Sequence, residues 1–406
     1  MQIVYERCCG LDVHKKTVVA CSLTPQGKEI RTFGTMTHDL CELVNWIKER
    51  QCSHVAMEST GVFWKPIFNL LEMEGIEATV FNAQHIKNVP GRKTDVKDAE
   101  WIAQLLRHGL VQGSFIPDRA QREIRELVRY RTSLVQERAR EANRIQKILE
   151  GANIKLASVV SDILGTTSTM LLEGLIAGNT DPRNLASKTG NRLKAEKSQI
   201  EQSLTGFLNP HQQNMLKNQL EHVRFLDRKI EDLNQEVEER LRPFDQALEL
   251  IDSIPGIGVQ TAQKIVAELG VNMERFPSAH HLASWAGLAP GNNQSAGKRK
   301  SGSTKKGSTA LRSTLVEAAV TVARMKNTYF ASQYHRLVLR RGKKRAIVAV
   351  AHSMLVAIYH MLLRSEPYRD LGTDFLDKRN ESRILTNALK RITALGYQVS
   401  VSKLPA

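Results

Sequence analysis

The hydrophobic and polar positions along residues 5–11, 17–23 and 30–36 read as short β-type runs and predict three neighbouring antiparallel strands. The period then changes. Residues 39–49 read as an amphipathic helix, 54–58 as a strand, 64–73 as a helix, 78–82 as a strand and 95–106 as a helix. From about Arg119 the pattern turns helical and highly charged, with Ile124, Leu127, Leu134, Ile145 and Ile148 spaced by combinations of three and four. No strand pattern follows for over a hundred residues. A second stripe, Leu216, Leu220, Val223, Leu226, Ile230, Leu233, Val237 and Leu241, predicts the seam of a coiled coil or of a long helical hairpin. Pro182 and Pro210 divide the region into several helices. Pro243 marks a boundary, short helices with glycine turns begin near Leu248, and the tail after Pro367 is charged and weakly patterned. The longest apolar stretch, 347–363, is broken by His352, Ser353 and His360 and falls short of the roughly 20 residues a membrane span needs. It reads as a core helix, with no membrane partner.

Composition narrows the class. The 406 residues, 41% hydrophobic and 25% charged, sit near globular averages, which excludes collagen-like, mucin-like and wholly disordered chains. The formal net charge of +16 is not spread evenly: between Pro290 and Arg345 there are 14 Lys and Arg against the single acid Glu317. A patch so concentrated is the electrostatic footprint of a phosphate backbone, ahead of a solvated face or one turned to anionic lipid. The start, MQIVYERCCG, lacks the order of a secretory signal, so a cytoplasmic, nucleoid-associated bacterial protein is expected. Cys8, Cys9, Cys21, Cys41 and Cys52 include no C-x-x-C pair, which points to buried reduced thiols rather than a disulfide framework or zinc ribbon.

Four carboxylates occupy positions that suit chemistry. Asp12 follows the first strand in GLDVHKKTVVACSL, Glu58 closes a later strand in HVAMESTG, and Asp95 and Asp98 open a helix in KTDVKDAEW, where the i, i+3 spacing sets both on one helix face. Three strands followed by alternating helix and strand is the order of an RNase H-like mixed sheet, whose strand ends share one edge. Carboxylates converging there repel one another unless a divalent cation sits between them, and oxygen-only ligation favours Mg²⁺ or Mn²⁺. Taken singly, each acid also suits a plainer role as helix-dipole charge, turn residue or surface acid. His14 and Lys15 stand beside Asp12 as possible substrate contacts.

Two further segments suit nucleic acid. In LIDSIPGIGVQTAQKIVAELG, Pro255-Gly256-Ile257-Gly258 separates two amphipathic helices, and the small Ala262 allows close packing. This is a helix-hairpin-helix pattern, in which Gly256 and Gly258 let the backbone approach phosphate oxygens and the following helix offers its first amides. The segment SWAGLAPGNNQSAGKRKSGSTKKG reads as a mobile loop of donors and positive charge, with Lys298, Arg299, Lys300, Lys305 and Lys306 as phosphate contacts. A serine flanked by cations can attack a phosphate, but chemistry alone does not rank Ser295, Ser301, Ser303 and Ser308.

Together, D-V-H-K-K, E-S-T-G-V-F-W, K-T-D-V-K-D-A, S-I-P-G-I-G and G-L-A-P-G-N-N-Q-S-A-G-K-R resemble the one-ten family of bacterial insertion-sequence transposases across roughly residues 5–365. The resemblance implies a DEDD recombinase with Asp12, Glu58, Asp95 and Asp98 as catalytic metal ligands and Ser295 as nucleophile, since the family's serine lies five residues after the proline of G-L-x-P. It implies strand exchange through a phosphoserine–DNA intermediate, with donor and target DNA as partners and a noncoding bridge RNA as guide. The fold expected is mixed α+β: a RuvC-like catalytic domain (1–118), a helical coiled-coil connector (119–245), a mainly helical transposase domain with helix-hairpin-helix and serine loop (246–365), and a tail (366–406). The stripe at 216–241 suggests a homo-oligomer, dimer or tetramer, with a site shared between subunits. Two other functions fit the same residues: a Holliday-junction-resolvase-like metal nuclease that uses water, and a non-catalytic nucleic-acid-binding protein.

Overall fold

The computed structural model describes residues 2–82, 95–111, 113–179, 181–190, 195–291, 293–295, 298–301, 303–304 and 307–401; for 95–97, 293–295 and 298–301 the description is of the backbone. It divides into two compact units, Met1–Pro117 and Asp118–Ala406. The connector, transposase segment and tail of the sequence reading all fall in the second.

Along the first unit run β1 (Cys8–Val13), β2 (Thr17–Thr24), β3 (Gly27–Gly34), α1 (Thr37–Glu49), β4 (His54–Glu58), α2 (Trp64–Met73), β5 (Glu77–Phe81) and α3 (Asp95–Arg107). The strands form a five-stranded mixed sheet in the order β3-β2-β1-β4-β5. Short turns make β1, β2 and β3 antiparallel, while α1 and α2 serve as the crossovers that let β4 and β5 add in parallel. The central strands are covered on both faces, which is why CCGL and VAM run apolar without alternation. Cys9, Leu11, Val13, Val55 and Met57 face one way and pack with Leu43, Ile47, Ile67 and Leu71 of α1 and α2. Cys8, Cys21, Ala56 and Phe81 face the other way and receive Ala99, Ile102, Ala103 and Leu106 of α3. Contact is closest at Gly10, where a Cβ would lie 2.3 Å from the Ala103 amide nitrogen and 2.4 Å from the Ala99 carbonyl oxygen, so a glycine is what allows α3 to lie on the sheet. Cys8, Cys9, Cys21 and Cys52 are buried free thiols as expected, but Cys41 is exposed, on the outer face of α1.

In the second unit, α4 (Arg119–Gly151) leads through a short 3₁₀ turn (Leu156–Ser158), α5 (Thr166–Ile176), α6 (Pro182–Ser187) and α7 (Lys197–Leu204) to α8 (Pro210–Leu241). Asp118 caps α4 by accepting from the Gln121 amide, and Asn209 caps α8 with Pro210 at its first position. Ion pairs and hydrogen bonds join Glu123 to Arg240, Arg131 to Asn234, Arg138 to Asp227 and Glu141 to His222, so α4 and α8 are antiparallel. Of the two arrangements the stripe allowed, the helical hairpin is the one formed: Leu216, Leu220, Val223, Leu226, Val237 and Leu241 are buried inside the chain. The short helices α5, α6 and α7 close its far end over Ile145, Leu149, Leu171, Leu204 and Leu220.

The remainder holds α9 (Asp245–Asp252), α10 (Val259–Leu269), α11 (Ala279–Trp285), the strands β6 (Asn293–Ser295) and β7 (Lys298–Ser301), α12 (Thr309–Val322), α13 (Tyr329–Arg341), α14 (Lys343–Arg364), α15 (Phe375–Arg379) and α16 (Glu381–Ala394). Among the described residues, α14 alone is long and apolar enough to cross a membrane. It is a core helix: α9, α11, α12 and α13 pack on it and bury Val350, Met354, Leu355 and Ile358. The start of the tail packs against α13. Tyr368 stacks on Phe330 with ring centroids 5.5 Å apart, the Asp370 carboxylate accepts from the Tyr329 amide at 3.0 Å, and Ser332 Oγ donates to the Thr373 carbonyl at 2.8 Å.

Candidate active site and nucleic-acid interface

Asp12 shares the sheet face of Cys8 and Gly10, and Glu58 that of Ala56, because side chains alternate along a strand. Both therefore lie on the α3 side, at the carboxyl ends of adjacent parallel strands, one step beyond the registered pair Leu11–Met57. Helix α3 runs back along β1: its end meets the chain start, where the Val4 amide donates to the Arg107 carbonyl at 2.9 Å, so its first turn lies towards Asp12. That turn bears Asp98, half-buried; Asp95 opens the helix, and its side chain lies outside the described residues. The Asp12 side chain is 14% exposed and bonds His14 Nε2 at 3.0 Å, while Thr60 Oγ1 donates to Glu58 Oε1 at 3.4 Å. Lys15 and Lys16 are exposed in the turn that follows. Three of the expected acids thus share one edge. Among the described residues, no three His, Cys, Asp or Glu side chains form a group that would hold a metal.

The glycine turn of the second unit joins α9 to α10, with the small Ala262 fully buried. Gly256 has φ +86°, and a Cβ there would press at 3.0 Å on the Ala318 carbonyl and on Val322 of α12. Packing thus accounts for Gly256. Gly258 caps α10 in extended conformation with nothing within 4 Å of where a Cβ would be, so the first turn of α10 is open to an approaching group.

The segment read as a loop is a short β-hairpin. β6 and β7 are antiparallel, and Ser295, the last residue of β6, registers with Lys298, the first of β7. A bridge between Pro290 and Thr304 and a hydrogen bond from the Gly291 amide to the Ser303 carbonyl, 2.9 Å, close its base. The side chains of Ser295, Lys298, Arg299, Lys300 and Ser301, and all of Lys305 and Lys306, lie outside the described residues. The backbone separates the serines nonetheless: Ser295 is at the far end, Ser303 at the base, and Ser308 is the cap of α12, accepting from the Leu311 amide. Further along, Arg340, Arg341, Lys343, Lys344 and Arg345 are all exposed at the corner between α13 and α14.

Sequence reasoning missed a polar knot beside the hairpin. Glu268, in the last turn of α10, is 3% exposed, and Arg129 of α4 holds both its oxygens at 2.6 and 2.9 Å. Gln121 and Arg125 of α4 donate to the carbonyls of Val266, Ala267 and Glu268, which a helix end leaves without partners. Burial pushes the Arg125 guanidinium pKa down, and the Glu268 charge opposes that shift. The signal available was a lone acid in the apolar run IVAEL, on a helix with little solvent-facing surface.

Residues 9–154 match a transposase family, and residues 248–335 match the IS116/IS110/IS902 family of transposases. Over 370 residues the chain is 25% identical to the transposase for insertion sequence element IS1111A of Coxiella burnetii, covering 89% of this chain and 90% of the relative. It is 29% identical over 154 residues to the transposase for IS1533 of Leptospira borgpetersenii, 36% of this chain and 44% of that protein. The pilin gene-inverting protein of Moraxella lacunata is 22% identical over 371 residues, 88% of this chain and 96% of that protein.

Proposed function

We propose that this chain, which belongs to the IS116/IS110/IS902 family of transposases, moves an insertion sequence by cutting and rejoining DNA through a covalent intermediate on Ser295. The observation that carries the reading is the shared edge of the first unit: Asp12 and Glu58 end adjacent parallel strands on the face where Asp98 begins α3. That order of strands and acids supports a RuvC-like domain. The donor set is oxygen-only and suits a hard cation, so Asp12, Glu58, Asp95 and Asp98 would hold Mg²⁺ or Mn²⁺. Such an ion, when bound, lowers the pKa of an attacking hydroxyl and stabilises a leaving oxygen.

The protein's own groups do the rest. His14 holds one oxygen of Asp12 and so fixes the direction of that carboxylate. Ser295, at the end of a cationic hairpin, attacks the phosphorus: the Oγ–P bond forms, a sugar O–P bond breaks, and the serine proton ends on the released deoxyribose oxygen. Lys298, Arg299, Lys300, Lys305 and Lys306 offset the charge of the pentacoordinate phosphorane. Each bond broken is replaced by another ester of phosphate, so a second deoxyribose hydroxyl can reverse the step on a new strand without external energy. Gene inversion, the reaction named for the Moraxella relative, is of this conservative kind, and it favours recombination over the hydrolytic nuclease reading. Gly258 and the open first turn of α10 grip the backbone without reading sequence, as a helix-hairpin-helix does.

Sequence choice is then left to a bridge RNA, which the excess of positive charge accommodates alongside donor and target DNA. Exchange requires two ends held at once, so copies act together as a dimer or tetramer, through faces other than the stripe that α4 covers. The test is a denaturing gel of protein co-expressed with its flanking element and target DNA, wild type beside Ser295→Ala. A protease-sensitive protein–DNA adduct is expected with Ser295 alone. Equal nicking by both proteins with no adduct would replace this reading by metal-dependent hydrolysis.

A further inference from the structure

A carboxylate as deep as Glu268 is costly to bury without close partners, and an apolar side chain of similar volume would stabilise the helix packing as well or better. Its presence therefore asks for a reason other than stability. Among the described residues it has one more partner beyond Arg129 and Arg125: Ser308 Oγ donates to Glu268 Oε2 at 3.2 Å. Ser308 is where the returning arm of the hairpin re-enters the core. Its amide donates to the Trp285 carbonyl at 3.1 Å. The preceding Gly307 lies so close to Trp285 and Gly287 that a Cβ would sit 2.2 Å from the Gly287 nitrogen and 2.4 Å from the Trp285 oxygen. The hairpin thus springs from a fixed point, and one of the bonds fixing it ends on a buried charge that α4 holds from behind.

We propose that Glu268 and Ser308 are positioning residues: through their hydrogen bond they pin the base of the β6–β7 hairpin and so set where Ser295 presents its hydroxyl. Arg129 and Arg125 hold the carboxylate in its direction. The proposal rests on Ser295 being the nucleophile, as above. Its physical content is that a nucleophile at the end of a short hairpin inherits any displacement of the base, and a displacement near 1 Å costs on the order of 100-fold in rate.

The experiment compares full-length wild type, Ser308→Ala, Ser308→Thr and Ser308→Asp on three readouts. These are the single-turnover rate of the protein–DNA adduct, binding of the same flanking-element DNA by gel shift, and hydrogen exchange of peptides across 286–312. Ser308→Ala is expected to slow adduct formation by about 10- to 100-fold, to leave DNA binding within about twofold, and to speed exchange in the hairpin peptides as well as in the first turn of α12, whose cap it removes. Ser308→Thr restores the hydroxyl and the rate. Ser308→Asp keeps an oxygen to cap α12 but sets a like charge against Glu268, so it is expected to be as slow as Ser308→Ala. A wild-type rate in Ser308→Ala or in Ser308→Asp overturns the proposal, as does a loss of DNA binding that matches the loss of rate. Should wild type form no adduct, the nucleophile reading fails, and the exchange arm decides the pin by itself: unchanged exchange across 286–304 in Ser308→Ala refutes it.

Discussion

Cys8, Cys9, Cys21 and Cys52 differ from Cys41 in one respect, their removal from water, and two measurements should register it. Burial pushes the Cys8 and Cys21 thiols from the ordinary 9.0 to about 12 and Cys52 to about 11, with neighbouring thiols adding to the shift at Cys8 and Glu100 adding to it at Cys21. All four remain protonated and unreactive at neutral pH, so a thiol reagent should modify Cys41 alone in the native protein and the others only after denaturation. The pH dependence has a definite sign. A folded pKa above the unfolded one means that the unfolded chain releases its proton first, so the stability present below pH 9 is lost as pH rises towards 12. Denaturant midpoints measured across that window should fall, and Cys21→Ala should flatten the fall; an unchanged slope would mean that Cys21 is not sealed. At this scale the sequence was informative where chemistry and position agreed. Asp12 and Glu58 could be placed on one face at the ends of neighbouring strands because strand position and alternation fix where a carboxylate lies. Glu268 could not, because an acid in a helix reads as solvated until the partners that bury it, over a hundred residues away in the chain, are seen.

Secondary structure was legible wherever an element meets a large core. The strand at 54–58 and the helix at 64–73 were read with the bounds the structure has, the strand because VAM is a short apolar run between polar ends and the helix because its apolar positions recur on one face. The β6–β7 hairpin was read as a loop for the converse reason: NQS and KRKS contain no apolar residue, so no apolar period betrays them. The packing of α5, α6 and α7 over the end of the long hairpin was likewise beyond a local pattern. Glycine turns carry a prediction of this scale, since Gly256 and Gly258 stand two residues apart for different reasons. Gly256→Ala would force a Cβ against Ala318 and Val322 at a positive φ, and should cost about 1–3 kcal/mol of stability. Gly258→Ala points into open space from extended backbone and should leave the melting temperature almost unchanged. If α10 offers its first amides to phosphate, the Gly258→Ala methyl stands in the way, and DNA affinity should fall several-fold although the fold is intact. Wild-type affinity in Gly258→Ala would return this turn to a plain helical corner.

Across the whole molecule the proposed chemistry divides between the two units: the four carboxylates belong to the first, and Ser295 and the whole of the net charge to the second. The size of that charge was legible by counting, but which cations are free to meet a phosphate was not, because ion pairs form between residues far apart in sequence. Arg129 spends its charge on Glu268 and Arg138 on Asp227. Arg340, Arg341, Lys343, Lys344 and Arg345 are exposed and, among the described residues, pair with no acid, so they are the cations best placed to displace counterions from nucleic acid. Each of them that contacts a phosphate contributes about 0.9 to the slope of log affinity against log salt concentration. Replacing the five by Gln should therefore flatten that slope by up to about 4 to 5, weaken binding equally on related and unrelated DNA, and leave the melting temperature near that of wild type because none supports the core. A drop confined to the element's own ends would instead make the corner a reader of sequence. An unchanged salt slope would mean that the corner keeps the protein soluble, leaving the hairpin to carry the contact with the phosphate backbone.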